Sequence, residues 1–118
     1  MDIERFNADW LAAWSRKDVP ALLGFYSEAV TYKDNQVPNG IVGHAALKLY
    51  LEGLFAATPA MEYIPDATWP ILGGYCGRWN CSFGLPDGTN RTLRGFDLVL
   101  LDGERISYNE VYTHTLPA

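Results

Sequence analysis

Asp97 breaks the pattern of its own segment. It stands in Gly-Phe-Asp-Leu-Val-Leu-Leu, a run that otherwise suits a buried strand. A carboxylate in such a setting is costly unless it is paired or takes up a proton. Two readings are open. A wet strand edge or a structural arginine, Arg78 or Arg94, satisfies it. Alternatively it lies in an apolar pocket with a raised pKa, and as a neutral acid it donates a hydrogen bond to a developing oxyanion. Asp34 is the second such acid. It closes Val-Thr-Tyr-Lys-Asp, on the strand face shared with Val30 and Tyr32. An Asp-Asn pair before a loop is also ordinary turn chemistry.

The aromatic share of 14% suits a core of large rings or a ring-lined cavity. Tyr32, Tyr50, Tyr108 and Tyr112 are expected to point inward. Each is either a phenol donor in a pocket or a core ring with its hydroxyl satisfied locally. Trp79 shares a strand face with Tyr75, Cys81 and Phe83, and is either lining or core. The last hairpin sets an expected register. If Asp102-Gly103 is a two-residue turn, Leu101 pairs with Glu104 and Asp97 lies opposite Tyr108. Glu110 is then diagonal to Asp97, on one face with Tyr108 and Tyr112. A second carboxylate so placed would raise a pKa and is a further acid/base candidate.

Other chemistries lack their residues. There is no Gly-rich phosphate loop, no His-Glu-X-X-His and no Cys-X-X-Cys. The two histidines are His44, expected at the surface near a helix start, and His114, in the last strand. No metal site and no cofactor are expected. Cys76 and Cys81, five apart in one strand, point to opposite faces and read as small core residues.

These side chains are positioned by elements that punctuation marks out. Apolar residues at Phe6, Trp10, Ala13 and Trp14 predict a helix from Ile3 to Arg16. Asp18 is a fitting N-cap for a short second helix with Pro20 in its first turn and Leu22, Leu23 and Tyr26 inward. A strand through Val30 to Asp34 follows, then a loop from Asn35 to Gly43. A third helix is predicted from His44 to Ala57, stopped before Pro59. Gly73-Gly74, Pro86-Asp87-Gly88 and Asp102-Gly103 divide the rest into four strands, near 61–71, 75–84, 91–101 and 105–114. Pro65 and Pro70 put the first of these at an edge or a bulge.

The chain has 118 residues, 48% hydrophobic and 19% charged, which suits one ordinary domain over 1–118. A net charge of -5 disfavours nucleic acid and anionic membrane, which need clustered Lys and Arg. A small apolar or aromatic ligand fits better. No secretory signal or spanning run is visible, so a cytoplasmic location is expected. One sheet face must cover the helices. The other would expose Phe96, Leu98 and Leu100, so a homodimer through that outer face is expected.

The order helix, short helix, Val-Thr-Tyr-Lys-Asp, a loop to Gly-His-Ala-Ala-Leu, then four strands, resembles the SnoaL-like and ketosteroid-isomerase-like branch of the nuclear-transport-factor-2-like superfamily. The resemblance covers nearly the whole chain, and from Trp10 to about Tyr50 it runs without a gap. It implies an α+β, cystatin-like cone: three N-terminal helices packed on a curved antiparallel sheet that encloses a pocket. It also implies that Asp34 falls where those isomerases keep a proton-shuttling aspartate. Asp97 falls where they keep the protonated aspartate of the oxyanion hole. Trp10 stands where they keep a tyrosine, and an indole N–H is a weaker acid than a phenol.

Three functions follow as expectations. The first is a cofactor-independent isomerase or polyketide-type cyclase acting on a small apolar ring-containing carbonyl compound. Asp34 and Asp97 would be catalytic, and Trp10, Tyr32, Tyr50, Trp79, Tyr108, Glu110 and Tyr112 would bind substrate. The second is a lyase or epoxide hydrolase, for which an arginine must bridge the aspartates. Strand parity places Arg94 on the face opposite Asp97 and counts against this. The third is a non-catalytic binding or dimerisation module.

Overall fold

The computed structural model describes residues 1–117, and its elements follow from local signals. Helix α1 (Ile3–Arg16) starts at Asp2, whose side chain accepts from Arg5 N at 3.1 Å. It ends at Lys17, a left-handed residue with φ 55°. Helix α2 (Val19–Phe25) is capped by Asp18, which accepts from Ala21 N at 3.1 Å. Strand β1 (Tyr26–Lys33) follows at once, then a two-residue strand β2 (Ile41–Val42) and helix α3 (His44–Ala57). Strands β3 (Met61–Ile71), β4 (Gly74–Gly84), β5 (Asn90–Asp102) and β6 (Arg105–Thr115) complete the chain.

The six strands form one sheet in the order β2-β1-β6-β5-β4-β3. β3 is at the edge and carries a bulge between Pro65 and Ala67, because proline cannot serve an interior ladder. The helices cover one face. Trp10 and Leu11 of α1, Leu22 of α2 and Leu47 of α3 are buried against Val30, Tyr75 and Val99 of the sheet.

Four expectations need correction. The sheet is mixed, not antiparallel, because β1 runs parallel to β6. Tyr26 belongs to β1 rather than to the face of α2, since extended backbone begins there. The segment from Asn35 to Gly43 holds β2, which pairs with Thr31 and Tyr32. The fourth correction concerns the β5–β6 register. The turn is Gly103-Glu104, flanked by the Asp102–Arg105 pair, and Gly103 takes φ 62°. A bulge follows: Leu101 pairs with Ile106 but Leu100 pairs with Tyr108, which leaves Ser107 extra. Asp97 therefore faces Val111, three residues on from the expected Tyr108. Moving the turn shifts the register by two, which keeps the faces. The single extra residue at the bulge reverses them.

Candidate active site

Strand alternation brings the two aspartates to one place. Asp34 follows the last residue of β1, on the face of buried Val30 and Tyr32. Asp97 is on the inner face of β5 with Gly95 and Val99, and is 2% exposed. Both line one cavity of about 170 Å³. Its wall is largely aromatic: Trp10 and Trp14 from α1, Tyr32 from β1, Tyr50 from α3, Tyr63 from β3 and Trp79 from β4. Among the described residues, no arginine, lysine or histidine lines it.

The two carboxyl groups are in opposite states of satisfaction. Asp34 Oδ1 accepts from the backbone N–H groups of Gln36 (2.8 Å) and Val37 (3.2 Å), the turn chemistry expected of an aspartate before a loop. Its Oδ2 accepts from the Tyr32 hydroxyl (2.9 Å) and the Tyr50 hydroxyl (2.5 Å). A carboxylate has about four lone-pair sites, so each is met by a donor. Burial first, then the Asp34 bond, holds the Tyr50 phenol well above its usual range, so it stays a donor.

Among the described residues, Asp97 has no charged partner. Burial pushes its carboxyl up to about 7, against smaller downward pulls from the neighbouring Trp79 and Asn109 side chains. Trp79 is near enough to favour the anion, yet its N–H makes no hydrogen bond of normal geometry: Trp79 Nε1 and Asp97 Oδ1 are both buried without a partner. Trp10 Nε1 is in the same condition. Asn109 is fixed from behind. Its Oδ1 accepts from the buried Tyr26 hydroxyl at 2.9 Å, and its Nδ2 donates to Leu98 O at 3.4 Å.

The cavity gathers Asp34, Asp97, Trp10, Tyr32, Tyr50 and Trp79 of the residues singled out in the sequence. It does not include Tyr108, Glu110 or Tyr112, because the bulge at Ser107 turns them to the outer sheet face. There Glu110 accepts from both the Tyr108 and Tyr112 hydroxyls, and these bonds lower its carboxyl from its ordinary value. Lys33 Nζ lies 5.3 Å from the centre of the Tyr108 ring. Glu110 thus neither neighbours Asp97 across the face nor raises its pKa.

Asn109, Val111 and Thr113 take those three places in the wall. They share a parity, and only the unforeseen bulge hid them. Tyr63 was also missed, although its alternation with Met61 along β3 signals an inward ring. The arginines stay outside. Arg94 pairs with His114 across the ladder, and Arg78 bonds Asp66 at 2.6 Å and lies 5.5 Å from the Trp69 ring. Cys76 and Cys81 are both unbridged, and burial pushes the Cys81 thiol up to about 11, which leaves it a poor nucleophile.

A family model described as the SnoaL-like domain matches residues 7–109. No curated protein sequence matches the chain. Solved structures with the same architecture include a protein from Catenulispora acidiphila with a ketosteroid-isomerase-like fold, in complex with trimethylamine. It has a TM-score of 0.79 and 16% identity, over 91% of this chain and 83% of the other. SalBIII, an epoxide hydrolase/cyclase-like enzyme in pyran ring formation in the polyether salinomycin, gives 0.77 and 17%, over 94% and 89%. A protein of nuclear-transport-factor-2-like type from Cytophaga hutchinsonii gives 0.74 and 12%, over 95% and 99%. At these identities the likeness establishes the fold alone.

Proposed function

This chain belongs to the SnoaL-like domain family, and on that premise we propose that it is a cofactor-independent acid/base enzyme. Its substrate would be a small, apolar, ring-containing carbonyl compound, moved along an isomerase or cyclase course. The observation that carries this reading is Asp97, a buried carboxyl without an ion partner in the wall of a ring-lined cavity. A group titrating near 7 is available as a neutral donor at physiological pH.

In the proposed reaction the Asp34 carboxylate takes a proton from the carbon next to the carbonyl. The C–H electron pair becomes the enolate π bond, and the carbonyl pair moves to oxygen. Asp97 O–H and Trp10 N–H donate to that oxygen. Asp34 then returns the proton to the same or another carbon. Its lone pairs are all occupied by protein donors, so one donor must turn away first. Tyr50 is the proposed mover: it is half-buried on a helix, whereas Tyr32 is 2% exposed.

The test is proton exchange. The protein is incubated with a β,γ-unsaturated one-ring ketone in D2O, and NMR follows deuterium entry and double-bond shift. Catalysed exchange that disappears in Asp34→Asn and falls in Asp97→Ala supports the reading. Full exchange in a folded Asp34→Asn variant removes the base assignment.

A second reading is favoured by the saturated state of Asp34: a pocket that binds without turnover. The trimethylamine held by the Catenulispora relative is consistent with this, because ring walls also suit alkylammonium ions. The absence of exchange, with tight binding of an amine probe, would select it. In either reading we propose a cytoplasmic homodimer joined through the outer sheet face. Trp69 and Phe96, 43% and 41% exposed, lie side by side there with Ile64 and Tyr112.

A further inference from the structure

We infer that the cavity is built to clamp one acceptor oxygen of a single-ring ligand between two indole N–H groups, those of Trp10 and Trp79, with Gly95 setting the position of the Trp79 ring. The assignment rests on reading the cavity as a carbonyl site, and it adds Trp79 as a donor beside Trp10 and Asp97, and the ligand size.

The first observation is where unpaired polar atoms lie. Among the described residues, four buried side-chain polar atoms lack a hydrogen-bond partner: Trp10 Nε1, Trp79 Nε1, Asp97 Oδ1 and Asn80 Oδ1. The first three belong to residues that line the one cavity. Native proteins leave few such atoms, and an indole N–H can only donate. A ligand with an acceptor oxygen satisfies both indoles, whereas a hydrocarbon or an ammonium ion satisfies neither.

The second observation is that the phenols are already spent. Tyr32 and Tyr50 donate to Asp34, Tyr26 to Asn109 and Tyr75 to Asn7. Tyr63 donates only to Met61 Sδ at 3.9 Å, but its ring stands edge-on to Trp79 at 5.0 Å and so buttresses the indole. Trp79 N–H lies near the Asp97 carboxyl and Trp10 N–H near the Tyr26 hydroxyl, but neither indole makes a hydrogen bond of normal geometry, so each can turn its donor to a ligand oxygen.

The third observation is Gly95. It pairs with Trp79 across the β4–β5 ladder. A Cβ at position 95 would stand 2.1 Å from both Cε2 and Cζ2 of the indole. The ring therefore lies over the glycine backbone, and any other residue must push it off. The cavity size completes the assignment: at about 170 Å³ it is close to the roughly 150 Å³ cavity that holds one benzene ring.

The test uses ¹⁵N-labelled protein, whose four tryptophans give four indole N–H signals. It is titrated with 2-cyclohexenone and, separately, with toluene, which matches it in size but has no acceptor. Trp10→Phe and Trp79→Phe assign the signals and remove each donor. The expected result is that the Trp10 and Trp79 signals move downfield with the enone and not with toluene. Each variant should bind the enone roughly fivefold more weakly, the scale of one neutral hydrogen bond, and toluene within about twofold of the parent. Gly95→Ala should abolish the Trp79 response alone. A Trp79 response to the enone that persists in folded Gly95→Ala removes the role given to Gly95. A Gly95→Ala chain that does not fold is replaced by Gly95→Ala/Trp79→Phe, whose recovery of folding shows that the clash is with that ring. Equal responses to both probes, shifts confined to Trp14 or Trp69, or no binding of either probe overturns the inference. Binding is read without turnover. An intact clamp without proton exchange would therefore defeat the enzyme reading alone, and exchange without the clamp would defeat this inference alone.

Discussion

The Tyr50 hydroxyl stands 2.5 Å from Asp34 Oδ2, so a single bond ties helix α3 to the end of strand β1 in the cavity wall. Hydrogen bonds to charged groups contribute about 1.5–3 kcal/mol, less where water competes. Tyr50 is only half-buried, so the lower end applies. Tyr50→Phe is expected to destabilise the fold by about 1–2 kcal/mol, read as a lower urea midpoint at unchanged slope. An unchanged midpoint would mean that the bond contributes nothing net.

Asp97 makes stability depend on pH in an unusual sense. Its folded value of about 7 is above the ordinary 3.8, so burial disfavours the charged form. Below about pH 4 the carboxyl is protonated folded and unfolded, and no penalty exists. Between about 4 and 7 the unfolded chain releases this proton first, so stability falls as pH rises. Above 7 the loss is complete. A carboxyl moved from 3.8 to about 7 corresponds to on the order of 4 kcal/mol, at about 1.4 kcal/mol per pH unit. Asp97→Asn mimics the neutral acid. It should match the parent in urea at pH 4 and exceed it by several kcal/mol at pH 8. Parallel pH profiles for the two proteins would refute the assignment.

Lys17 does two things at the end of α1. It takes a left-handed backbone, φ 55°, where glycine is usual. Its Nζ donates to Phe55 O (3.0 Å), Thr58 O (2.6 Å) and Thr58 Oγ1 (3.1 Å), tying α1 to the end of α3. Lys17→Met keeps the backbone strain and loses all three bonds, for an expected cost of about 2–3 kcal/mol. Lys17→Gly loses the same bonds but relieves roughly 1 kcal/mol of strain, so it should cost less. Thermal unfolding of the two variants checks the order.

The outer sheet face is the proposed site of self-association. Phe96 lies 5.9 Å from Trp69, ring centre to ring centre, and both are about two-fifths exposed. A charge placed there is unpaired in a joined state and solvated in a free one. Phe96→Glu should sediment as a monomer at concentrations where the parent is a dimer. A parent that is itself monomeric at all concentrations would end the proposal.

Much of this architecture was legible in the sequence because local chemistry set it. The apolar spacing of α1, the Asp18 cap of α2 and the stop before Pro59 after α3 mark the helices. Gly73, Gly88 and Gly103 each take positive φ in the turns that separate the long strands. Asp97 stood out because an acid in an apolar strand is costly, and Asp34 because it falls where the resembling isomerases keep an aspartate. What stayed hidden is non-local. The parallel pairing of β1 with β6 joins residues about 77 apart in the chain. β2 has two residues, too few to show alternation. Ser107 carries no sign of a bulge in its own identity, yet it alone reversed the β6 face and exchanged Tyr108, Glu110 and Tyr112 for Asn109, Val111 and Thr113.

The proposed chemistry depends on the protonation of Asp97, and carboxyl ¹³C NMR measures it directly. With aspartate carboxyl carbons labelled and Asp97→Asn used to assign the signal, the shift is followed from pH 3 to pH 9. A single titration with its midpoint near 7 is expected. A midpoint near 4, the value of an ordinary solvated aspartate, would contradict it.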